Sequence, residues 1–419
     1  MKLFATVSLF ILYSVSAIAG GEQINEHGAR ATGMGGAFAA QSSDASAIYF
    51  NPAGLAFQPG IRLLGGTTLI FPSSSYTDPA PSTTKTNMVS QVFYPSNLYG
   101  TYSINDKLVI GLGIFNPFGL GTEWPSHWPG RYLAIKADIQ TFFFNPSVGY
   151  KINDQLSVGI GVSYVYSSVS LSQATLTFTD STERSISSTD GAVKLSGNGS
   201  GFNFDAGLLY KPFAKMSLGA SYRHSTKIAY SGTISFSNMQ GLTKYTPGGT
   251  GGTSLTFPSN IFAGIAYDVL PELTLEADYQ GVGWSSYDKL AVNVSDGPPD
   301  PHTNLPRQTS IVQIKDWENV YLIRFGGEYR YNDHLAFRAG YIFDKTPQPD
   351  KTVEPLLPDA DRNDFTIGIG YTMSHNVTVD AVYMLVLFNS RTETLTVNPF
   401  PGTYKSSANL FGVDVGYNF

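Results

Sequence analysis

The chain has 419 residues, and only 14% of them are charged, well below the roughly 25% usual for soluble domains. Cysteine is absent, which excludes disulfide frameworks, thiolate zinc sites and cysteine nucleophiles. The formal net charge is -6 with no basic run, so the sequence offers no electrostatic footprint for nucleic acid.

Residues 1–19 are typical of a bacterial secretory signal. Lys2 precedes an apolar run at 3–12, and Ala17-Ile18-Ala19 has the small-x-small cleavage pattern. A transmembrane anchor is the alternative, but the apolar core is short and the cleavage motif follows directly. No later segment has about 18 uninterrupted apolar residues, which excludes further helical spans. We therefore expect a periplasmic, secreted or outer-membrane protein.

The segment 20–58 shows no strand alternation, and glycine and alanine dominate residues 28–40. Asp44 is placed to cap a turn, and Asn51 to cap a short helix with Pro52 at its first position. A disordered tail would leave the apolar residues of 48–57 exposed for no gain. We therefore predict a hatch, residues 20–58, packed inside a lumen.

Period-two alternation recurs along the rest of the chain. One face is apolar and the other small or polar at 156–164, 273–280, 365–372 and 411–419. Strands of this kind can face lipid with their apolar side and a lumen with their small or polar side. A soluble sandwich is the alternative, but it usually carries more charge on its polar face. The pattern favours a transmembrane β-barrel formed by residues 59–419.

The connections predict the number of strands. Tight-turn signals occur at six places: 105–106, 153–154, 211–214, 270–272, 332–333 and 375–376. Seven polar or proline-rich connections separate them: 75–92, 118–137, 181–198, 238–253, 295–316, 347–361 and 398–407. Short periplasmic turns and long outer loops are typical of such barrels. We therefore predict an all-β fold, a 14-stranded antiparallel barrel with a hatch containing short helices.

Motifs along the whole mature chain resemble the FadL-type outer-membrane transporters of long-chain fatty acids and hydrophobic compounds (OmpP1/FadL/TodX). In the hatch they are Gln23-Ile24-Asn25-Glu26, Gly28, Gly33 to Gly36, the Asp44 region and Asn51-Pro52-Ala53. In the barrel they are Asn116-Pro117-Phe118-Gly119, Thr122-Glu123-Trp124, Phe257-Pro258-Ser259, Trp284-Ser285, Phe337 to Gly340, Pro347, Pro349 and Leu357 to Arg362. The family resemblance independently implies fourteen strands and an N-terminal hatch.

The resemblance also implies a mechanism: capture among outer loops, binding in an apolar pocket beside the hatch, and sideways exit through a kinked third strand. We expect that strand at 108–116, with pairing broken at Asn116-Pro117-Phe118-Gly119 because Pro117 cannot donate to the ladder. Whether the strand instead ends there and enters a loop stays open. Asn51-Pro52-Ala53 is expected beside that gap, or is an ordinary helix start.

The same resemblance suggests ligand-binding residues. The mature end, Gly20, Gly21, Glu22 and Gln23, is expected to reach the pocket, while loop residues Phe118, Leu120, Trp124 and Trp128 capture ligand or act as interfacial anchors. Arg324 and Arg338 are candidates to pair a fatty-acid carboxylate. The favoured alternative for both arginines is internal pairing with Glu328, Glu276 or Asp278.

We expect no enzyme activity and no cofactor, because no nucleophile elbow, metal pair or phosphate loop accompanies the six histidines. Calcium at Asp359, Asp361 and Arg362 is disfavoured, since the carboxylates lack a regular ligand spacing. The expected partners are a hydrophobic small molecule, fatty acid or aromatic hydrocarbon, and outer-membrane lipid, with the chain a monomer in the bacterial outer membrane. A surface adhesin or receptor barrel is the alternative from another class.

Overall fold

The computed structural model describes residues 23–179, 186–240, 248–297, 307–373, 376–394 and 400–419. The predicted signal and Gly20, Gly21 and Glu22 lie outside these residues. The division into 1–19, 20–58 and 59–419 stays a prediction.

The chain forms one closed antiparallel barrel of fourteen strands, which confirms the predicted fold class. Strands β3, β7, β8, β9 and β10 are each interrupted once, and β14 pairs with β1 from Arg62↔Asn418 to Thr77↔Thr403 to close the wall. The strands are β1 (Ile61–Thr77), β2 (Ser96–Ser103), β3 (Leu108–Phe115 and Gly119–Glu123), β4 (Lys136–Lys151), β5 (Leu156–Thr175), β6 (Gly191–Phe213), β7 (Met216–Arg223 and Thr226–Ser237), β8 (Gly249–Phe257 and Asn260–Leu270), β9 (Leu273–Val282 and Lys289–Gly297), β10 (Arg307–Ile314 and Val320–Arg330), β11 (Leu335–Asp344), β12 (Arg362–Thr372), β13 (Val377–Phe388) and β14 (Gly402–Asn418).

The remaining regular elements are short. Helices α1 (Ala29–Gly33) and α2 (Ala47–Phe50) and a 3-10 helix (Pro52–Phe57) lie in the hatch. Further 3-10 turns (Trp284–Ser286 and Asp350–Thr352) and short strands (Lys85–Asn87 and Arg391–Glu393) lie in the wall interruptions and loops. No helix in the described part of the chain is long and apolar enough to cross a membrane.

The alternation places one face of each strand outside. In β5, Ile160 is 62% exposed while Ser157 and Ser163 on the other face are fully buried. Beyond Tyr166 the side chains still alternate, but the polar and apolar faces exchange places. Ser168 and Ser170 face outward, and Val169 and Leu171 face the lumen. A polar outer face is stable only where the wall leaves the hydrocarbon. The strands therefore project past the membrane on the side of the long connections.

Five of the six predicted tight turns, all but 375–376, lie wholly within the described residues and are at one end of the barrel. The fully described connections 75–92, 118–137 and 347–361 lie at the other end. Six of the seven predicted loops overlap wall strands, all except 347–361. The overlap is largest at 181–198, which contains the start of β6 at Gly191, and at 295–316, which contains the first segment of β10 at Arg307–Ile314. Both misassigned stretches are polar because they belong to wall that projects beyond the lipid.

The described part of the hatch fills the bore and is almost fully buried. Met34, Phe38, Ile48 and Leu55 are all 0% exposed. The hatch is held largely by backbone N–H groups that donate to wall carboxylates. Phe38 N and Ala39 N donate to Asp278 Oδ2, both at 2.9 Å, and Ala40 N donates to Glu276 Oε1 at 2.7 Å. These bonds satisfy the buried backbone donors of residues 38–40, which lie between the two short helices and have no helical partner.

Candidate functional site

The wall is broken in the third strand. Phe115 ends its first segment, Gly119 begins the second, and both segments pair with β4. Pro117 between them has no N–H to donate, so the ladder cannot run through it. Asn116 Nδ2 donates to Thr141 O at 2.5 Å instead. Because the strand resumes, the alternative that it ends at Pro117 is excluded.

On the other side, β2 pairs with β3 only from Leu98↔Ile114 to Ser103↔Val109. In the described structure the next main-chain bond across this seam is Val89 N to Glu123 O at 2.7 Å. A gap in the ladder therefore lies between β2 and β3 beside Asn116-Pro117-Phe118.

The start of the hatch lies against this gap. Ile24 N donates to Pro117 O at 3.0 Å, and Gln23 forms an antiparallel bridge with Phe118. Gln23 Nε2 also donates to Asn260 Oδ1 on β8 at 3.2 Å. The segment that closes the bore therefore also covers the break in the wall.

Above the hatch, the inner wall is apolar. We call this space the upper lumen, bounded on the side of the long connections by buried apolar residues from β4 to β10, β13 and β14: Phe143, Val165, Val169, Leu171, Val193, Leu195, Ile228, Tyr230, Ile234, Leu255, Phe257, Val282, Leu290, Val292, Leu322, Met384, Val386 and Leu410. An apolar solute moved there from water gains roughly 25 cal/mol per Å² of surface buried.

Aromatic rings connect the upper lumen to the hatch through Phe118. Its ring stacks on Phe257 at 4.7 Å and meets the edge of Trp284 at 6.2 Å, and Trp284 in turn contacts Trp317 at 5.0 Å. Toward the hatch, Phe118 lies 6.3 Å from Phe143, which stacks on Phe115 at 5.9 Å. The ring of Phe115 then meets that of the hatch residue Tyr49 at 5.5 Å. The break in β3 thus lies within a continuous aromatic surface.

A layer of polar side chains separates the upper lumen from most of the hatch. This polar layer comprises Asn145, Asp205, Arg223, Asn260, Gln280 and Arg324, one from each of six strands. Asn145 Nδ2 donates to Asp205 Oδ1 at 2.6 Å, and Gln280 Nε2 donates to Asn260 Oδ1 at 2.7 Å. An amphiphilic solute would find its apolar and polar environments stacked along the barrel axis.

Two cavities adjoin the hatch. One of about 90 Å³ lies between the hatch start, β1, β3, β13 and β14, and is lined by side chains that include Ile24, Met88, Leu357, Phe388 and Leu410. The other, about 670 Å³, opens at the end of the short turns and is lined by charged residues such as Arg30 and Glu328. The smaller cavity is largely apolar, although Glu26, Asp359 and Arg362 also line it, whereas the larger one is charged.

Two buried hatch groups border the aromatic rings. Burial, aided by the nearby Arg223, lowers the pKa of His27 well below its ordinary value, so the imidazole is neutral. Its ring lies 3.5 Å from that of Tyr49. Burial raises the pKa of Glu26, against the opposing effect of Arg362. The neutral imidazole of His27 therefore adds no charge beside the rings of Tyr49 and Phe115.

Trp124 and Trp128 stack at 4.4 Å in a loop cluster with Tyr76, Val353 and Tyr404. Both tryptophans are at most 2% exposed, and their indole N–H groups donate to Pro355 O and Ala134 O. They thus hold loops together and offer no open surface. Leu120 lies in the second segment of β3, and its side chain is outside the described structure.

The two candidate arginines are held by the protein. Arg338 donates to Glu328 at 2.7 Å and to Asp380 at 2.6 Å. Arg338 is therefore paired with carboxylates inside the protein. Arg324 donates to Asn25, Gln280 and the Gly35 carbonyl. The alternative of pairing with Glu328, Glu276 or Asp278 is wrong for Arg324, because its acceptors are neutral groups of the hatch and of Gln280 on β9.

Asn51 caps the Pro52–Phe57 helix by accepting from Ala53 N at 3.1 Å, as the sequence predicts. Its Nδ2 donates to Ala39 O and to Leu208 O on β6. The expected place beside the gap is wrong, because Pro52 packs against Gly159, six residues along β5 from the level of Phe143. At about 3.3 Å per residue this is about 20 Å away. Gly159 provides room there because a Cβ would overlap the Pro52 backbone.

Sequence reasoning missed Trp317 and Arg223 as site residues. Trp317 and the quoted Trp284 lie in the interruptions of β10 and β9, and Arg223 ends the first segment of β7. A detectable signal was the loss of alternation around each of them. Among the described residues, no group of three or more His, Asp or Glu is placed to hold a metal ion.

Known proteins support a family assignment. A family model described as outer membrane protein transport protein (OMPP1/FadL/TodX) matches residues 10–419. The 47 kDa outer membrane protein of Pasteurella multocida is 26% identical, covering 93% of this chain and 92% of that protein. The long-chain fatty acid transport protein of Escherichia coli K12 is 24% identical, covering 97% and 96%.

Solved structures agree with the fold. A Pseudomonas aeruginosa FadL homologue superposes with a TM-score of 0.82 at 20% identity, covering 94% of this chain and 98% of that one. The P. putida toluene transporter TodX gives 0.75 at 18% identity, covering 95% and 99%. With the family model spanning nearly the whole chain, this outer-membrane β-barrel belongs to the OMPP1/FadL/TodX family of transport proteins.

Proposed function

We propose that this chain, as a monomer, takes up long-chain fatty acids across the outer membrane. Solute enters between the outer loops, settles in the upper lumen and leaves sideways between β2 and β3. Family membership and the name of the Escherichia coli relative support the substrate class. The lateral route avoids passing an apolar chain through the charged cavity on the far side of the hatch.

One observation carries the proposal: the hatch start covers the break in the third strand through Ile24 N to Pro117 O and the Gln23–Phe118 bridge. The start of the hatch covers the gap, and the rest of the hatch fills the bore. Displacement of the start therefore opens the gap while the anchored remainder still blocks the bore. Gly20, Gly21 and Glu22, immediately before it, are proposed to move with it.

Binding gains its free energy in the upper lumen. Each methylene buried there is worth about 0.8 kcal/mol, whereas a water-filled pore offers no such gain. Phe118 is the proposed contact at the exit, since its ring joins the lumen aromatics at the break. Trp124 and Trp128 are proposed to shape the entrance by fixing the loops around it. Arg324 and Arg338 are left out, because Nη1 and Nη2 of Arg324 are bonded within the protein and Arg338 is paired with Glu328 and Asp380.

Uptake of aromatic hydrocarbons is the second candidate. The aromatic surface of Phe118, Phe257 and Trp284 favours it, since planar rings pack well on such a surface. Comparing oleate with toluene uptake by the same cells distinguishes the two candidates.

A reversible crosslink tests the route. The chain has no cysteine, and Gln23 and Phe118 are antiparallel partners at a separation that a disulfide spans. The double variant Gln23→Cys/Phe118→Cys should lose oleate uptake when oxidised and regain it on reduction. Ligand trapped before oxidation should stay bound, because the upper lumen is unchanged.

Both single-cysteine variants serve as matched controls. A second control, Val379→Cys/Val415→Cys, links β13 to β14 on the outer face and leaves the hatch free. Uptake that continues at the wild-type rate in the oxidised gate variant, with crosslinking complete by mass spectrometry, would contradict lateral exit at this break.

A further inference from the structure

The outer face of the wall carries a patch of hydroxyl and amide groups where neighbouring strands project past the membrane. The register aligns outward side chains of β4, β5, β6 and the second segment of β7 into two rows. Side chains in one row belong to adjacent strands and so lie about 5 Å apart. We call these residues the polar platform: Asp138, Ser170, Ser196 and Thr233 in one row, and Gln140, Ser168, Asn198 and Ser231 in the other.

The polar platform lines an open groove of about 540 Å³. Its side chains are mostly short, whereas larger ones flank it: Phe142 and Tyr166 on the membrane side, and Lys136 and Lys194 on the far side. In the described part of the chain, the hydroxyl groups of the platform serines bond no other protein group. Donors and acceptors along the groove are therefore available to a ligand.

Exposed aromatic residues fix the height of the polar platform relative to the membrane. On the outward face of β5, Tyr164 and Tyr166 are 43% and 37% exposed, and on β6 Phe202 is 74% exposed. Such residues form the girdle at the membrane interface of a barrel. Ser168 lies two residues beyond Tyr166, about 7 Å along the strand. The platform is therefore continuous with the lipid-facing surface and lies at the level of the outer-leaflet head groups.

The charges around the polar platform favour an anionic sugar ligand. Lys194 and Lys227 are exposed on its two sides, and within the described residues neither has a carboxylate partner. The platform itself has a single carboxylate, Asp138. Ammonium groups bind phosphate, while hydroxyl and amide groups bond the hydroxyl groups of sugars. A phosphorylated glycolipid matches both features and already lies beside this surface.

We propose that the polar platform binds the core sugars of lipopolysaccharide, the glycolipid of the outer leaflet. The serine hydroxyl groups bond the sugars, Lys194 and Lys227 contact the phosphates, and the acyl chains lie along Tyr164 and Phe202 below. The site is on the outer face of the wall, so it does not depend on the proposed transport through the lumen.

Titration of purified, delipidated protein in neutral detergent, read by native mass spectrometry, tests the platform. The two ligands are rough lipopolysaccharide, which has core sugars, and lipid A, which lacks them. Wild-type protein should bind the first about tenfold more tightly, the value of one or two hydrogen bonds. Lys194→Gln/Lys227→Gln should weaken the binding of both. One quadruple variant should lose the preference and keep its affinity for lipid A: Ser168→Ala/Ser170→Ala/Ser196→Ala/Ser231→Ala.

The matched control is Ser73→Ala/Ser407→Ala. These paired serines lie on β1 and β14, outside the platform, two residues beyond the exposed Phe71, and their replacement should leave both affinities unchanged. Equal affinity of the wild type for both lipids, or an equal loss in the control, overturns the proposal. Free core oligosaccharide that binds as tightly as lipopolysaccharide also overturns it, because the ligand would then be a soluble glycan. Folding is read from heat-modified electrophoretic mobility, and if the quadruple variant does not fold, Ser168→Ala/Ser196→Ala decides.

Discussion

Replacing Asp278 with alanine should loosen the hatch without harming the wall. The carboxylate accepts from Phe38 N and Ala39 N, both at 2.9 Å and both buried. Each buried N–H left without an acceptor costs about 1–3 kcal/mol, so the docked hatch loses about 2–6 kcal/mol. Glu276 still holds Ala40, so the hatch remains attached but opens more often. The open fraction should rise about 25-fold or more.

Two assays measure that opening. In planar bilayers, Asp278→Ala should show conductance events that the wild type lacks or shows far less often, because an open bore admits ions. In cells, the variant should increase sensitivity to vancomycin, which is too large for an intact outer membrane. Both readings are normalised to the amount of heat-modifiable protein in the membrane.

The companion variant Asp278→Asn keeps an acceptor oxygen and removes the charge, so it should leak much less than Asp278→Ala. Asp154→Ala, at an exposed tight turn, should behave like the wild type. Equal leakage of the alanine and asparagine variants would show that charge, not the acceptor, holds the hatch. Wild-type conductance in Asp278→Ala would refute the reasoning altogether.

Three further predictions concern the gap and the loops. Pro117→Ala supplies an N–H at the break, so oleate uptake should fall while equilibrium binding is unchanged. Trp124→Ala removes a side chain that is 1% exposed and should destabilise the loop cluster by about 3–5 kcal/mol, measured by proteolysis of the outer loops. Burial raises the pKa of Asp359 from 3.8 to about 6. Between pH 3.8 and about 6, Asp359 is therefore protonated when the loop 345–361 is docked and ionised when the loop is open. Docking of the loop weakens as the pH rises through this range. Between pH 5 and 7.5 the loss is about 1 kcal/mol, visible as faster amide exchange at the higher pH after correction for intrinsic rates.

Each of these has its own check. Unchanged uptake in a correctly folded Pro117→Ala variant would remove the break from the route. Trp124→Phe keeps most of the stacking area and should be milder than Trp124→Ala. Asp359→Asn does not titrate, so any pH dependence that persists in it has another cause.

The strands of the wall could be predicted because the residues of each strand alternate according to whether they face lipid or the lumen. In β5, Ile160 faces lipid and Ser157 the hatch, so the period-two pattern needed no knowledge of neighbours. The same strand also shows where the membrane ends, because its apolar residues face outward up to Tyr166 and inward from Val169. Polarity alone does not separate projecting wall from loop, so it predicts a loop at 191–198 where the structure has the start of β6.

The site was less predictable because it depends on contacts between distant segments. Pro117 marks a place where pairing must break, but only the pairing of Gly119 to Glu123 with β4 shows that the strand resumes. The cap at Asn51 is local and is confirmed, whereas its distance from the gap depends on where Gly159 leaves room. Partners of Arg324 and Arg223 come from the folded hatch, which has no periodicity to extrapolate.

The anchoring of the hatch has a consequence for biogenesis. Ala29 N donates to Asp414 Oδ2 at 2.6 Å, and Asp414 belongs to the final strand, so one end of the polypeptide is secured by the other. The N-terminal segment is synthesised first, but it cannot dock completely until the last strand has been synthesised and has paired with the first. The hatch can therefore dock completely only in a closed barrel. In a truncated or unclosed molecule, the apolar N-terminal region would stay accessible to periplasmic chaperones and proteases.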